Sequence, residues 1–533
     1  MNVQRWIQGL ALVLFAGLIW EAARPWVPAD LFLQLDPSAA AAAGIASRRW
    51  VAGLGWAMLL LALTALLGRF FCGYLCPLGT TVDCGDYLIR RGRPCPGPGA
   101  APRRLKFAVL AALLGAASLG VSLVFFLSPI PMATRLYGVL VVPVIQRISD
   151  WGLAALGPLA DLANLPALGY AEIASSRYLH PWTTAVITAA VLGLAVRAPR
   201  FWCRAVCPAG AIFALCSRRP LWSRRVTDDC IDCGLCQRAC PMGAIDDDPR
   251  PTDRAECIVC RTCARVCPAN AVFFDAGLAP TAPFSADRRL FISGGLAGAA
   301  AAAVSWVGAE HLLSAAGPGQ ILPPELIRPP GSLTEPRFQS LCIRCGACMA
   351  ACPTNTLHPL SVGTGPTGVF TPVVTPRIGP CDPYCTRCGE VCPTGAIRNL
   401  TADERLWAKV GTAHILRQKC LAWEFDRKCL VCDEVCPFGA VSLKTVEGIP
   451  AQVPFVDERR CTGCGFCEYH CPVASEKAIQ VAPMEALRLD AGSFVERGRE
   501  AGLTIELKRR ASVTTETPEA TGAPGDLPPG FSD

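Results

Sequence analysis

Six runs of cysteine carry the chemistry of this sequence. Cys230, Cys233, Cys236 and Cys240 follow the spacing C-x2-C-x2-C-x3-C-P, and Cys257, Cys260, Cys263 and Cys267 repeat it. Cys342, Cys345, Cys348 and Cys352 keep that spacing, as do Cys461, Cys464, Cys467 and Cys471. Two runs are stretched: Cys381, Cys385, Cys388 and Cys392, then Cys420, Cys429, Cys432 and Cys436. Each run ends in Cys-Pro. Three such closely spaced thiolates grip one [4Fe–4S] cube, while the fourth reaches over to a neighbouring cube. The proline turns the chain away and brings no N–H that needs a partner.

Six runs of four account for 24 of the 31 cysteines. A disulfide framework suits short secreted domains and needs no such packing, so 533 residues with grouped cysteines argue for metal clusters instead. Zinc sites pair two C-x2-C motifs across a longer span, which is not the pattern here. In the first region the crossing assigns Cys230, Cys233, Cys236 and Cys267 to one cube, and Cys257, Cys260, Cys263 and Cys240 to the next. For the later four runs we expect nested pairing, outer with outer and inner with inner. That joins Cys342, Cys345 and Cys348 with Cys471, and Cys461, Cys464 and Cys467 with Cys352. It also joins Cys381, Cys385 and Cys388 with Cys436, and Cys420, Cys429 and Cys432 with Cys392. The expected cofactors are therefore six [4Fe–4S] clusters.

A further four cysteines stand apart, in FCGYLCP (Cys72, Cys76) and FWCRAVCP (Cys203, Cys207). Four thiolates meeting from two C-x3-C-P pairs would hold a seventh cluster or another soft metal. The same residues also fit a reversible dithiol or small buried side chains. Cys84, Cys95 and Cys216 are read as free thiols. No C-x-x-C-H attaches a haem. Gly363, Gly365 and Gly368 form a G-x-G-x-x-G interrupted by Pro366, which reads as a loop and not a nucleotide site.

The elements that must position these groups are apolar. Charged residues are only 17% of the chain, and mean hydropathy is +0.35. Four stretches, near 6–22, 51–71, 107–127 and 182–198, approach the ~20 residues that cross a bilayer, and a fifth runs from Leu290 to Val307. Segment 137–168 is apolar but broken by Pro143, Pro158 and Pro166, and is read as interfacial or re-entrant. Seven Lys/Arg lie in 69–106 and seven in 197–225, against three each in 21–50 and 128–180. By the positive-inside rule the N-terminus is cytoplasmic and so are the segments after the second and fourth spans. The net charge of +7 flanks the apolar segments and does not form a nucleic-acid patch.

The expected organisation is multidomain: an α-helical membrane domain (1–225), a cytoplasmic two-cluster ferredoxin of α+β type (226–280) and a fifth helix (281–312). A linker (313–336), a periplasmic four-cluster ferredoxin (337–490) and a mostly disordered tail (491–533) follow. His180, ahead of the fourth span, is read as an ordinary interfacial histidine before a partner for a quinone oxygen.

The paired C-x3-C-P motifs followed by a two-cluster run resemble NapH-type membrane ferredoxins of periplasmic nitrate-reductase systems. The region from about 285 resembles their NapG/MauM-type partner, an exported four-cluster ferredoxin, and DRRLFISGG (Asp287–Gly295) is similar to its twin-arginine signal. The chain thus resembles a fusion of the two. The resemblance implies oxidation of a membrane quinol, with electrons passed to a periplasmic redox protein or reductase. Related polyferredoxins also suggest an alternative, a copper reductase or maturation factor acting through Cys72, Cys76, Cys203 and Cys207. Electron flow between the two faces works with or against the membrane potential, about 2.3 kcal/mol per charge per 100 mV.

Overall fold

The computed structural model describes residues 3–24, 26–90, 102–162, 173, 175–276, 287–315, 326–361, 368–474 and 476–508. Cys95, Gly363, Gly365, Pro366, residues 316–325 of the linker and the tail beyond 508 lie outside the described residues.

A helical bundle occupies the centre, with one cysteine-rich unit at each end. Helix α1 (Val3–Trp20) runs from one unit to the other. At its start Gln4 Nε2 donates to Gly73 O (3.0 Å) and Gln8 Nε2 to Asp83 Oδ2 (2.8 Å). Just past its end, Ala22 O accepts from Arg387 Nη2 (2.6 Å). Outward-facing Val3, Trp6, Leu10 and Val13 on α1 are each about 70% exposed. Apolar side chains are also exposed on α3 (Trp56–Leu67), on α8 (Val142–Leu162) and on the helix Pro181–Gly193. A belt of that extent around several helices fits a membrane-associated protein.

Two helices, Val3–Trp20 and Pro129–Pro158, are long and apolar enough to cross a membrane; Ala52–Leu67, Leu105–Ser118 and Pro181–Val196 are shorter apolar helices. The expected spans near 51–71 and 107–127 therefore differ from what is seen. Gly68 (φ 77°) and Gly120 (φ 82°) take left-handed conformations that end the helices early. Residues 137–162 of the segment read as interfacial or re-entrant belong to one long rod. It comprises α7 (Pro129–Arg135), a π turn at Leu136–Val141 and α8.

The loop after α1 returns into the bundle. Helix α2 (Pro37–Ser47) and α7 both begin inside it, at Asp36 and Ser128, each fully buried. Asp36 Oδ1 accepts from Ser38 N (2.9 Å) and Ala39 N (3.1 Å), and Oδ2 accepts from Ile130 N (3.4 Å) and the Ser128 hydroxyl. One carboxylate thus caps two helix N-termini, where the partial positive charge of both dipoles favours it. Asp36→Ala is expected to cost about 2–4 kcal/mol, seen as a lowered unfolding midpoint in detergent, and Asp36→Asn clearly less.

Helix α6 (Leu105–Ser118) packs along the long helix Arg288–Ala315. A Cβ at Gly294 would come within 2.5 Å of Ala108 O, and one at Gly298 within 1.8 Å of Ala112 O. The pairs step by four residues on both helices, so they run parallel at backbone contact, as small residues allow.

The first unit is held by an antiparallel pair, β1 (Trp222–Val226) with β2 (Val272–Ala276). The second has three such pairs: β3 (Leu357–Pro359) with β4 (Pro372–Val374), β5 (Thr412–Ile415) with β8 (Ile479–Ala482), and β6 (Val441–Val446) with β7 (Ile449–Val456).

Candidate metal centres

Register β1–β2, with Val226 opposite Val272, brings the first two cysteine runs side by side. In all four regular runs the same two positions have positive φ. They are Asp232 and Gly234, Val259 and Arg261, Arg344 and Gly346, and Gly463 and Gly465. Each pair flanks the middle cysteine and turns successive N–H groups toward the sulfurs, a concavity suited to an anion. Val259, β-branched at φ 56°, sits there at a steric cost. Neither stretched run has that pair among the described residues.

The partner of each run is read from the cavities and from which sulfurs act on one another. One cavity is lined by Cys257, Cys260, Cys263 and Cys240, the crossing expected from the sequence. Cys236 feels the charge of Cys230 and Cys233 and shares an apolar cluster with Cys267. In the second unit the nested pairing is not what the fold builds. One cavity gathers Cys342, Cys345, Cys348 and Cys392; another Cys461, Cys464, Cys467 and Cys436; a third Cys420, Cys429, Cys432 and Cys471. Cys352 acts on Cys381, Cys385 and Cys388. Runs therefore pair with their sequence neighbours. The bridge Ser332–Ile397 folds the first run onto the second, and β5–β8 closes the third onto the fourth. Closing the shorter loops costs less chain entropy.

These pockets fit a [4Fe–4S] cube. Each is walled by apolar side chains and presents four sulfurs. Burial pushes the thiols up, to about 12 at Cys432 and Cys464 and about 11 at Cys385, so metal loading must displace protons. Among the described residues no three His, Cys, Asp or Glu side chains close round a single ion. A cube holds its thiolates further apart than a lone ion does. Backbone N–H groups reach the sulfurs of Cys240, Cys436 and Cys461 at 3.3 Å and of Cys392 at 3.5 Å. Arg405, 4% exposed, donates from Nη2 to Cys381 Sγ (3.1 Å). Such a donor favours the more negative, reduced state. Arg405→Met should lower the midpoint of that centre by roughly 50–100 mV in a potentiometric EPR titration.

Cys72, Cys76, Cys203 and Cys207, the membrane quartet of the sequence reading, are built as a repeat. Helix α4 (Phe70–Tyr74) carries Cys72, and the helix Phe201–Ala205 carries Cys203. Each is followed by a kink and a second cysteine before a proline that opens the next helix, α5 (Pro77–Arg90) or Pro208–Cys216. Cys76 Sγ accepts from Gly79 N (3.4 Å) and Cys207 Sγ from Gly210 N (3.3 Å). Cys76 and Cys207 are buried in one apolar cluster, with Cys72 and Cys203 packed against it, so the four thiols share one region of the core. Two buried arginines flank them. Arg200 Nη1 donates to Cys72 O (2.8 Å), and Arg69, 1% exposed, has Nε and Nη2 without a hydrogen-bond partner. Orphaned cationic donors beside four sulfurs suit a negatively charged centre.

The quartets stand in single file. The loop of the Cys257 run presses on α4: Tyr74 Oη donates to Val259 O (3.0 Å), and Ile258 O leaves no room for a Cβ at Gly73. On the other side of the bundle, Arg135 of α7 donates to Arg344 O (3.0 Å), and Ala350 meets Gly138 in the π turn. Cys388 then acts on Cys348, Cys381 N bonds Cys464 O (2.8 Å), and Cys432 acts on Cys467. The order in space is the Cys230 run, the Cys257 run, the membrane quartet, then the Cys342, Cys381, Cys461 and Cys420 runs. Of the leftover thiols, Cys84 is exposed and Cys216 half-buried. His180 is an exposed N-cap at φ 55° on the helix Pro181–Gly193.

Family models described as a 4Fe-4S binding domain match residues 49–96 with 181–226, and 225–246; a 4Fe-4S dicluster domain matches 341–396 and 427–475. The first model covers both halves of the membrane repeat. The third covers neighbouring runs in pairs. The methylamine utilization ferredoxin-type protein MauM of Methylophilus methylotrophus is 41% identical over 166 residues, 30% of this chain and 72% of that protein. MauM of Methylorubrum extorquens is 33% identical over 211 residues, 38% of this chain and 92% of that protein. The ferredoxin-type protein NapG of Escherichia coli is 36% identical over 182 residues, 32% of this chain and 77% of that protein.

Proposed function

Since the chain belongs to the family of ferredoxin-type proteins that includes MauM and NapG, we propose that it carries electrons from a membrane quinol to a redox partner in the periplasm. Iron–sulfur electron transfer is the activity that the family and its 4Fe-4S domains give. The observation that supports the route is the single file of quartets, which enters the helical bundle from one unit and leaves it into the other.

Six [4Fe–4S] clusters sit on the 24 cysteines of the runs, and a seventh on Cys72, Cys76, Cys203 and Cys207. When bound, such clusters take up and release single electrons without making or breaking substrate bonds. The chain's own part is to keep water from the sulfurs, to place Arg69, Arg200 and Arg405 beside them, and to fix their order. The basic segments 69–106 and 197–225 support a first unit in the cytoplasm and a second across the membrane. The membrane domain acts as a NapH-type subunit joined to its NapG-type partner. The periplasmic partner docks where the Cys420 quartet ends the file, beside exposed Phe425.

Anaerobic purification, iron counting and quinol titration under EPR test this reading. About 28 irons per chain and reduction by ubiquinol or menaquinol are expected. Centres that stay oxidised with both quinols would sink it. A reporter fused after Asp490 should be active in the periplasm.

A further inference from the structure

A cavity of about 720 Å3 opens between α1, α5 and the loop of the Cys257 run, within the size range of small-molecule sites. Its wall has two characters. Tyr87 and Leu88 line it and are 73% and 70% exposed, and Leu12 continues the apolar side along α1. The polar part of the lining is Asp83, Asp86 and Arg200, with Arg5, Arg90 and Arg265. Arg200 is ion-paired to Asp83 (2.5 Å) and also holds Cys72 O, so the polar wall is fastened to the membrane quartet. Asp86 is 9% exposed; its Oδ2 accepts from Arg200 N (2.7 Å), while its Oδ1 is buried with no hydrogen-bond partner. Cys260, a ligand of the nearest cube, is part of the same wall.

An unpartnered acceptor oxygen, an apolar side formed by Leu12, Tyr87 and Leu88 and a cysteine of the Cys257 run in the wall call for one kind of ligand. It has a hydroxylated, redox-active head and an apolar tail, and it arrives from the bilayer. We propose that this cavity is the site at which the quinol is oxidised, its ring between α1 and α5 and one hydroxyl on Asp86 Oδ1. The assignment rests on the quinol reading above and gives it a place. In the balanced step, one quinol loses two protons and two electrons and leaves as quinone. The first proton goes to the Asp86 carboxylate, and both pass on to cytoplasmic water. The electrons go one at a time to the one-electron iron–sulfur centres beside the wall.

Gly9 lines the cavity, and a Cβ there meets nothing within 4 Å, so a large side chain enters open space without displacing the fold. Cys84 lines it too and is exposed, which makes it a reporter. The test uses the full chain, cluster-loaded, in phosphatidylcholine nanodiscs with decylubiquinone and a short-chain menaquinone as probes. Quinone should slow maleimide labelling of Cys84, followed by peptide mass spectrometry, at least several-fold. Gly9→Trp should abolish that protection and slow reduction by quinol, with iron content and the dithionite-reduced spectrum unchanged. Asp86→Asn should keep the protection yet slow quinol-driven reduction on the order of 100-fold, as loss of a positioned proton acceptor does. Unprotected Cys84, together with a Gly9→Trp protein reduced by quinol as fast as the unmodified chain, would overturn the cavity and leave quinol oxidation standing elsewhere. Equal protection by phosphatidylglycerol without quinone would make it a lipid site and overturn it as well. Protection by quinone in a protein that no quinol reduces would fail the functional reading and keep the binding site.

Discussion

Replacing Cys72 and Cys203 together by serine should drop the iron content from about 28 to about 24 per chain and cut the second unit off from quinol. The argument is one of series connection. The Cys257 loop contacts α4 from one side, and α7 touches the Cys342 loop from the other. The quartet lies in the apolar core that joins them, with Cys76, Cys207, Ile130, Met132 and Cys345 in one cluster. No other cysteine group in the described residues bridges that core. In the double variant the first unit should still be reduced by quinol, while the second responds only to added dithionite. EPR distinguishes the two populations. A variant that keeps all its iron and still reduces the second unit would show that the quartet is packing and not a centre.

The second large effect concerns how the first unit is attached. Glu256, 3% exposed, bonds Arg69 (2.8 Å) and Lys106, both almost fully buried, and Arg69 also donates to Ala255 O (3.0 Å). Burial alone would raise the Glu256 carboxyl pKa, but Lys106 and Arg69 overcome it and hold the group below the usual carboxylate range. Glu256→Ala removes the only carboxylate in direct contact with those two cations among the described residues. Breaking one partner of such a buried group costs about 3–5 kcal/mol, because the remaining charges stay desolvated. The expected result is a lowered unfolding midpoint, new protease cleavage between 226 and 276, and loss of iron from the neighbouring Cys257 site. Glu256→Gln should be milder, since its amide oxygen still accepts from Arg69. Unchanged protease resistance in Glu256→Ala would show that the strand pair β1–β2 and the Tyr74 contact suffice.

What the sequence discloses and what it hides divide along the range of the interactions. The four regular cysteine runs are legible because three ligands of one cube lie within seven residues, and the turn geometry at positions such as Gly346 and Gly465 is local. The crossing in the first unit follows from that local rule. Pairing among the four later runs is a tertiary matter. Spacing alone does not tell Cys392 from Cys471, and the bridge at Ser332 and Ile397 decides it. The apolar stretches are legible in place but not in length, because single glycines at 68 and 120 stop helices that hydropathy would continue. The inward start of α2 is hidden in an Ala-rich stretch. Only the folded bundle brings Ser128 onto Asp36, residues 92 apart in the chain. The cavity likewise joins residues 4–12, 80–90, 199–200 and 239–265, which no periodicity connects.

The glycine seam between α6 and the helix Arg288–Ala315 also bears on how the protein is put together. A partner made as a separate chain would have to be captured from dilute solution, with an affinity and an off-rate. Here the second unit is tethered to the first by a helix already seated against the bundle. The local concentration of one for the other is then of millimolar order, set by the tether and not by expression level. The stoichiometry is fixed at one to one, and a contact such as Arg387 on Ala22 O need not be strong to be permanently made.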